Sequence, residues 1–254
     1  MEVQTRIASA PKAAPVPSEH PTLGEPILSV VDLNIAYGLS EIVKDFSLSV
    51  APGEIVAVLG LNGMGKTTLM KCLIGLLPAL SGTIAIGGAP VTSLAPHERV
   101  RMGMGYVPQG RMVFPRLTVE ENILTGLLDS STEPLEELYE FFPVLREMRK
   151  RRAGNLSGGQ QQQLVIARAL ASNPKVLLLD EPTEGIQPSI IKDLAGQLKE
   201  IRDRRGLTVV VTEQVLSFAL AVADRALVME RGRVAYASTD KELDQEKLSA
   251  LLSL

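Results

Sequence analysis

A single cysteine, Cys72, occurs in 254 residues, so the chain has no partner for an internal disulfide and no thiol cluster for a metal, which fits a reducing cytosol. No run approaches the roughly 18–20 consecutive apolar residues of a membrane-spanning helix; the longest apolar blocks, such as residues 176–179, are strand-sized. Neither sign of charge dominates, with 26 Lys and Arg against 29 Asp and Glu. The surface therefore carries no excess that would draw a polyanion, and no nucleic-acid partner is expected. The first 26 residues are rich in Ala, Pro and Ser without an apolar core. They fit neither a signal peptide nor a folded segment, and residues 1–26 read as a flexible tail.

What remains is ample for a large core: 45% of the residues are hydrophobic and 22% charged, which suits one α/β domain, alone or with an inserted lobe. From residue 27, the runs 27–31 and 42–50, bounded by Gly, Pro and Ser, predict strands of an antiparallel layer. Residues 55–59 form an unbroken apolar run, followed by a glycine-rich stretch and an amphipathic segment over 67–77. That order predicts buried strand, tight loop and helix. Further strands are expected at 82–86 and 105–107. Between 117 and 152 the apolar residues Leu135, Leu138, Phe141, Phe142 and Leu145 fall at helical spacing, predicting an inserted helical lobe. Alternation then resumes with helix 160–171, strand 176–179, helix 189–204, strand 208–211 and helix 215–223, a parallel-sheet rhythm. A hairpin of 226–229 and 233–236 and a short helix close the chain.

The stretch Gly60-Leu61-Asn62-Gly63-Met64-Gly65-Lys66-Thr67-Thr68 has the spacing of a phosphate-binding loop. Small residues let backbone N–H groups turn toward phosphate oxygens, the following helix offers its positive end, Lys66 supplies a point charge, and the Thr67 hydroxyl can ligate Mg²⁺. A second strand, 176–179, ends in Asp180 and Glu181. In open α/β sheets ligands sit beside such strand ends. The two acids can divide the work, Asp180 holding Mg²⁺ and Glu181 orienting and deprotonating a water that attacks the terminal phosphate.

Many nucleotide hydrolases share those features; Leu156-Ser157-Gly158-Gly159-Gln160 narrows them, because it resembles the signature peptide of ABC ATPases. Ser157, Gly158 and Gly159 at the start of a helix form a second anion cradle of hydroxyl, free N–H groups and helix dipole, to which Gln160 belongs. The resemblance implies the ABC-type P-loop fold, with a mixed sheet core, an antiparallel β layer and a helical subdomain inserted at about 111–158 of a domain spanning 27–254. It also implies a head-to-tail dimer that holds ATP between one subunit's phosphate loop and the other's signature. Tyr37 matches the family's adenine-stacking aromatic. Gln109 matches the glutamine that touches Mg²⁺ and the attacking water, and residues 184–188 match the segment that crosses to the partner.

Two positions depart from that pattern. Gln214 stands where most ABC ATPases have a histidine sensing the terminal phosphate; it donates a hydrogen bond but carries no charge, which implies slower turnover. Gln187 stands near the usual aspartate after the catalytic glutamate. Both departures resemble the paired ATPases of branched-chain amino-acid and urea importers. The stretches 110–122, 156–163 and 180–188 look most like the urea-uptake member, with short amides as a related solute and a branched-chain amino-acid importer as the alternative. The implied assembly is peripheral at the cytoplasmic face of the inner or plasma membrane: a related second ATPase or a second copy, two permease subunits and, indirectly, a solute-binding protein. Phe114, Leu117, Tyr139, Phe141 and Phe142 are candidate walls of a groove for a permease helix, with core packing as the competing reading. A soluble ABC ATPase without membrane partners is the rival of another class, although tandem cassettes, coiled-coil insertions and basic surfaces are missing.

Overall fold

A computed structural model of the chain describes residues 25–128, 134–238 and 243–252; apart from residues 25 and 26, the expected N-terminal tail lies outside them. Strands β1 (Leu28–Tyr37), β2 (Ser40–Val50), β3 (Ile55–Leu59), β4 (Ser81–Ile86), β5 (Ala89–Pro90) and β6 (Met104–Val107) occupy the first half, with β7 (Val176–Asp180), β8 (Thr208–Glu213), β9 (Arg225–Glu230) and β10 (Arg233–Ala237) in the second. They form two sheets: an antiparallel one ordered β2-β1-β4-β5 and a mixed one ordered β10-β9-β3-β8-β7-β6. In the mixed sheet β9, β3, β8, β7 and β6 run parallel, and β10 closes its edge as the antiparallel arm of the expected hairpin.

The unbroken apolar runs have a direct cause. Ile55, Ala57 and Leu59 of β3 face one core cluster while Val56 and Val58 face the other; Leu177 and Leu179 of β7 oppose Val176 and Leu178 in the same way. Side chains alternate across a strand, so a strand covered on both faces is apolar at every position. Helix α1 (Lys66–Ile74) packs into the cluster shared with the antiparallel sheet, and helices α6 (Gly158–Leu170), α7 (Pro188–Arg205) and α8 (Leu216–Val222) cover the opposite face.

The antiparallel sheet shows why the apolar run at 27–31 covers only the first part of β1. Its pairing with β2 shifts register between Val30 and Leu33, around Asp32, whose φ is 48°. This bulge breaks the apolar alternation. Strand β5 and helix α2 (Pro96–Arg101) were not foreseen. Within α2, Arg99 is 2% exposed and donates to the carbonyls of Cys72, Leu73, Thr92 and Leu94 at 2.7–3.0 Å. It ties down the carboxyl end of the helix that follows the phosphate loop. Burial pushes the Cys72 thiol up to about 11, with the nearby Arg99 charge opposing.

Between β6 and α6 lie the short helices α3 (Val119–Leu124), α4 (Pro134–Phe141) and α5 (Pro143–Glu147). Tyr139, Phe141 and Phe142 are buried, so they belong to the core and do not wall a surface groove. Helix α7 covers this ground. The guanidinium groups of Arg204 and Arg205 lie 4.5 and 5.5 Å from the centre of the Phe141 ring and pair with Glu140 and Glu137 at 2.8 and 2.6 Å. Phe114 and Met112 remain exposed. The last helix, α9 (Gln245–Leu252), anchors through Leu248.

An Arg99→Met exchange keeps the apolar stem but removes a guanidinium donor from four carbonyls, of which that of Cys72 keeps the Gly75 N–H. It is expected to cost about 3 kcal/mol, read as a lower midpoint in urea-induced unfolding.

Candidate active site

Strands β3, β8, β7 and β6 are neighbours and parallel, so their carboxyl ends line one edge, with Leu59 opposite Glu213, Asp180 opposite Thr212 and Val107 opposite Leu179. Each strand delivers one predicted element: the loop 60–65 after β3, Gln214 after β8, Glu181 after β7 and Gln109 after β6. The sheet, not local sequence, brings these residues together.

In the loop, Gly63 and Gly65 take φ of 80° and 100°, the left-handed region that glycine enters without penalty. A Cβ on Gly60 would lie 2.8 Å from the Met229 carbonyl. Met64 turns away from the cleft, and its sulfur accepts from the Arg231 N–H at 3.2 Å. Lys66, 3% exposed, reaches back to the Gly60 and Leu61 carbonyls at 2.6 and 3.0 Å and pairs with Glu181 Oε1 at 2.9 Å. A cleft of about 220 Å³ is lined by Asn62, Gly63, Gly65, Lys66, Thr67 and Thr68 of this loop and by Ile42, Gln109 and Glu181.

Glu181 is the focus of the side-chain network. Its Oε2 accepts from the Gln109 and Gln214 amides at 3.1 and 3.2 Å, while Gln214 also donates to Asn62 Oδ1 at 2.7 Å. Its backbone φ is 45°, a strained value for a side chain with a Cβ. The N–H of Glu181 is held by the Thr212 carbonyl and hydroxyl at 3.1 and 3.2 Å. Gln109 also donates to Glu184 Oε2 at 3.0 Å.

Asp180 lies behind Glu181, 1% exposed. Its Oδ1 accepts from the Thr67 and Thr212 hydroxyls at 3.2 and 2.8 Å, and Oδ2 from the Tyr106 hydroxyl at 3.4 Å. Burial raises the Asp180 pKa against the pull of these donors, and burial together with the Asp180 charge raises that of Tyr106. A carboxylate beside a threonine hydroxyl, opening on a phosphate-sized loop, fits Mg²⁺, which takes a few protein oxygens and completes its shell with phosphate and water. Among the described residues no cluster of three or more His, Cys, Asp or Glu could hold a metal without a nucleotide.

The signature peptide stands apart from this cleft. Ser157 caps α6, its hydroxyl accepting from Gln160 N–H at 3.3 Å while Gln160 Oε1 accepts from Ser157 N–H at 3.0 Å. Gly159 is buried, and a Cβ there would meet Ile190 Cγ2 at 2.7 Å, so that glycine also serves the contact between α6 and α7. Tyr37 ends β1 at 49% exposure, outside the residues that line the cleft. Sequence reasoning missed Tyr106, Thr212 and Glu213. The available signal was that β8, like β7, ends an apolar run in polar residues, Thr212 and Glu213.

Because burial raises the Asp180 pKa in the fold, ionisation opposes folding: its contribution is fully present below the unfolded-state value and is lost as pH rises through the folded one. Asp180→Asn can keep Oδ1 toward both threonines and donate to the Tyr106 oxygen. The variant is expected to melt a few degrees higher at pH 7, with the gain shrinking in acid, as followed by circular dichroism.

A family model described as ABC transporter matches residues 43–184. The chain is 42% identical over 221 residues to the high-affinity branched-chain amino acid transport ATP-binding protein BraG of Pseudomonas aeruginosa, covering 85% of this chain and 94% of the relative. It is 38% identical over 227 residues to the lipopolysaccharide export system ATP-binding protein LptB of Escherichia coli, covering 87% and 93%. A nucleotide-free ATP-binding cassette from an ABC transporter superposes with a TM-score of 0.78 at 27% identity, covering 90% of this chain and 96% of that one. ABC ATPases bind ATP and ADP and work as dimers with membrane permease components. Among the described residues no helix is long and apolar enough to cross a membrane. With its phosphate loop, paired acids and signature carried on the cassette fold, this chain belongs to the ABC transporter family as an ATP-hydrolysing subunit.

Proposed function

We propose that this chain powers the import of a small polar solute, with urea as that solute, and that Glu181 is the general base of its ATPase cycle. The observation that carries the catalytic part is the Glu181 carboxylate, held between Lys66, Gln109 and Gln214 at the mouth of the phosphate loop. Three donors fix the carboxylate's direction, and Glu181 accepts the proton of the attacking water. Gln109 and Gln214 orient that water through their amides, and Lys66 neutralises phosphate charge. The backbone of residues 60–65 cradles the phosphates and Tyr37 stacks on the adenine. Thr67 and Asp180, with Gln109 nearby, would hold Mg²⁺, which would supply neutralisation of phosphate charge when bound.

Residues 27–254 constitute the ATPase domain, with the helical subdomain inserted at about 111–158. Ser157, Gly158, Gly159 and Gln160 face the nucleotide of a partner chain, either a related ATPase or a second copy. Two permease subunits seat the pair peripherally at the cytoplasmic face of the inner or plasma membrane, and a solute-binding protein delivers the cargo from the other side. Urea is supported by the local resemblance of residues 110–122, 156–163 and 180–188 to the urea-uptake ATPase. The second reading, a branched-chain amino-acid importer, is favoured by the 42% identity to BraG.

Glu181→Gln is expected to retain ATP binding by calorimetry while lowering phosphate release by roughly 10²-fold or more; unchanged turnover removes the general-base role. For the solute, uptake of ¹⁴C-urea is expected to fail in a deletion strain while ¹⁴C-leucine uptake persists, and the reverse result selects the amino-acid reading.

A further inference from the structure

Glu213, the last residue of β8, is 2% exposed, and among the described residues no lysine or arginine pairs with it. A carboxylate in such a place is costly unless its oxygens are fully used. Burial raises its pKa, and the Thr183 hydroxyl and then the N–H groups around it pull the other way. Oε1 accepts from the Thr183 N–H at 3.0 Å. Oε2 accepts from the N–H groups of Gln214 and Val215 at 3.1 and 3.3 Å. A third link runs through its backbone, whose carbonyl accepts from the N–H of Gly60, the first residue of the phosphate loop, at 3.3 Å.

These contacts do more than satisfy one loop. Thr183 lies two residues beyond Glu181, on the segment that continues to Glu184, the second acceptor of Gln109. Gln214 is the residue whose amide binds both Glu181 and Asn62. One side chain therefore fixes the backbone on both sides of the Glu181 carboxylate, one oxygen to each segment. Glu181 itself has the strained φ of 45°, which persists only where its surroundings over-determine it. The clamp at Thr183 and the Thr212 contacts at Glu181 N–H supply that constraint from either side of Pro182. A glutamine would fill the same space but offers a single acceptor oxygen, and its NH₂ would face N–H donors on one of the two segments.

We infer that Glu213 is a positioning residue for hydrolysis: through the backbones of Gln214 and Thr183 it locks the two segments flanking Glu181 into one unit. The inference rests on Glu181 being the base, as proposed above. Displacement of a reacting group by about 1 Å can lower turnover by roughly 10²-fold, so a broken clamp acts on kcat rather than on nucleotide binding.

The test compares full-length wild type with Glu213→Gln, Glu213→Asp, Gln214→Ala and the Glu213→Gln/Gln214→Ala double variant, each assayed for kcat, KM for ATP, ATP affinity by calorimetry and melting temperature. Glu213→Gln is expected to lower kcat about 10-fold or more with KM and affinity within about twofold. Glu213→Asp, which keeps two acceptor oxygens, is expected to recover part of the loss. The double variant should fall no further than the lower of the two single variants, because both act on one carboxylate. A folded Glu213→Gln protein with wild-type kcat, a loss confined to KM, or multiplying effects in the double variant overturns the inference. Loss of folding in both Glu213 variants also overturns it, assigning the residue to the fold alone. A Glu181→Gln control separates the two failures: if that control turns over normally, it is the base assignment that falls, whatever Glu213 does.

Discussion

Everything in the site hangs on the side-by-side register of four parallel strands buried on both faces. Because Leu59, Glu213, Asp180 and Val107 reach the same edge, three segments far apart in sequence bring donors to the carboxylate carried by the fourth. The alternating burial of β3 and β7 in two core clusters makes that register hard to slip, since a one-residue shift would exchange the side chains offered to the two cores. The chemistry is thus held by aliphatic packing several residues behind it, and the polar network only sets the last ångström.

The edge is also where the fold gives up stability. Asp180, Glu181, Glu213 and Lys66 are all nearly inaccessible, and Glu181 has a backbone conformation that disfavours a side chain. Each is matched locally: Lys66 by carbonyls and Glu181, Asp180 by two threonines and a tyrosine, Glu213 by three N–H groups. Burial still raises the pKa of Asp180 and Glu213 despite those donors, so the matching is incomplete.

Much of this could be read from the sequence, for reasons that differ by element. Strands β3 and β7 were legible because double burial writes a continuous apolar run, and the phosphate loop because its glycines, Lys66 and Thr67 fall at fixed spacing. The unread parts depend on distant partners. Asp32 looks like a strand boundary, yet its left-handed bulge lies inside β1, accommodated by Gly82, where a Cβ would strike the Asp32 backbone. Arg99 carries no mark in the sequence, yet its guanidinium serves four carbonyls outside its own helix. Tyr139, Phe141 and Phe142 offered an aromatic face in sequence, and only the arginines of α7 reveal that it is covered. Glu213 is marked in sequence only as a polar end to the apolar run of β8, and its partners Thr183, Gln214 and Val215 are met through backbone N–H groups that any sequence would supply.

The signature glycines illustrate how one motif answers two constraints. Their spacing reads as an anion cradle, while the reciprocal cap of Ser157 and Gln160 takes up the N–H groups of those two residues. Packing independently requires one of them: Gly159 admits Ile190 of α7, while Gly158 lies beside the guanidinium of Arg111, which can swing aside. Arg111, held at a φ of 63° just beyond Gln109, also lies against Gly185 on the segment that follows Glu181. The strand-end carrying Gln109, the start of α6 and the loop after β7 therefore meet at a single side chain. A shift in any one of them is felt by the other two through van der Waals contact, and two of them are joined at Glu181 by the Gln109 amide, which donates to Glu181 and Glu184. Contact with Arg111 and the Gln109 hydrogen bond thus link the signature to the Glu181 carboxylate within one chain.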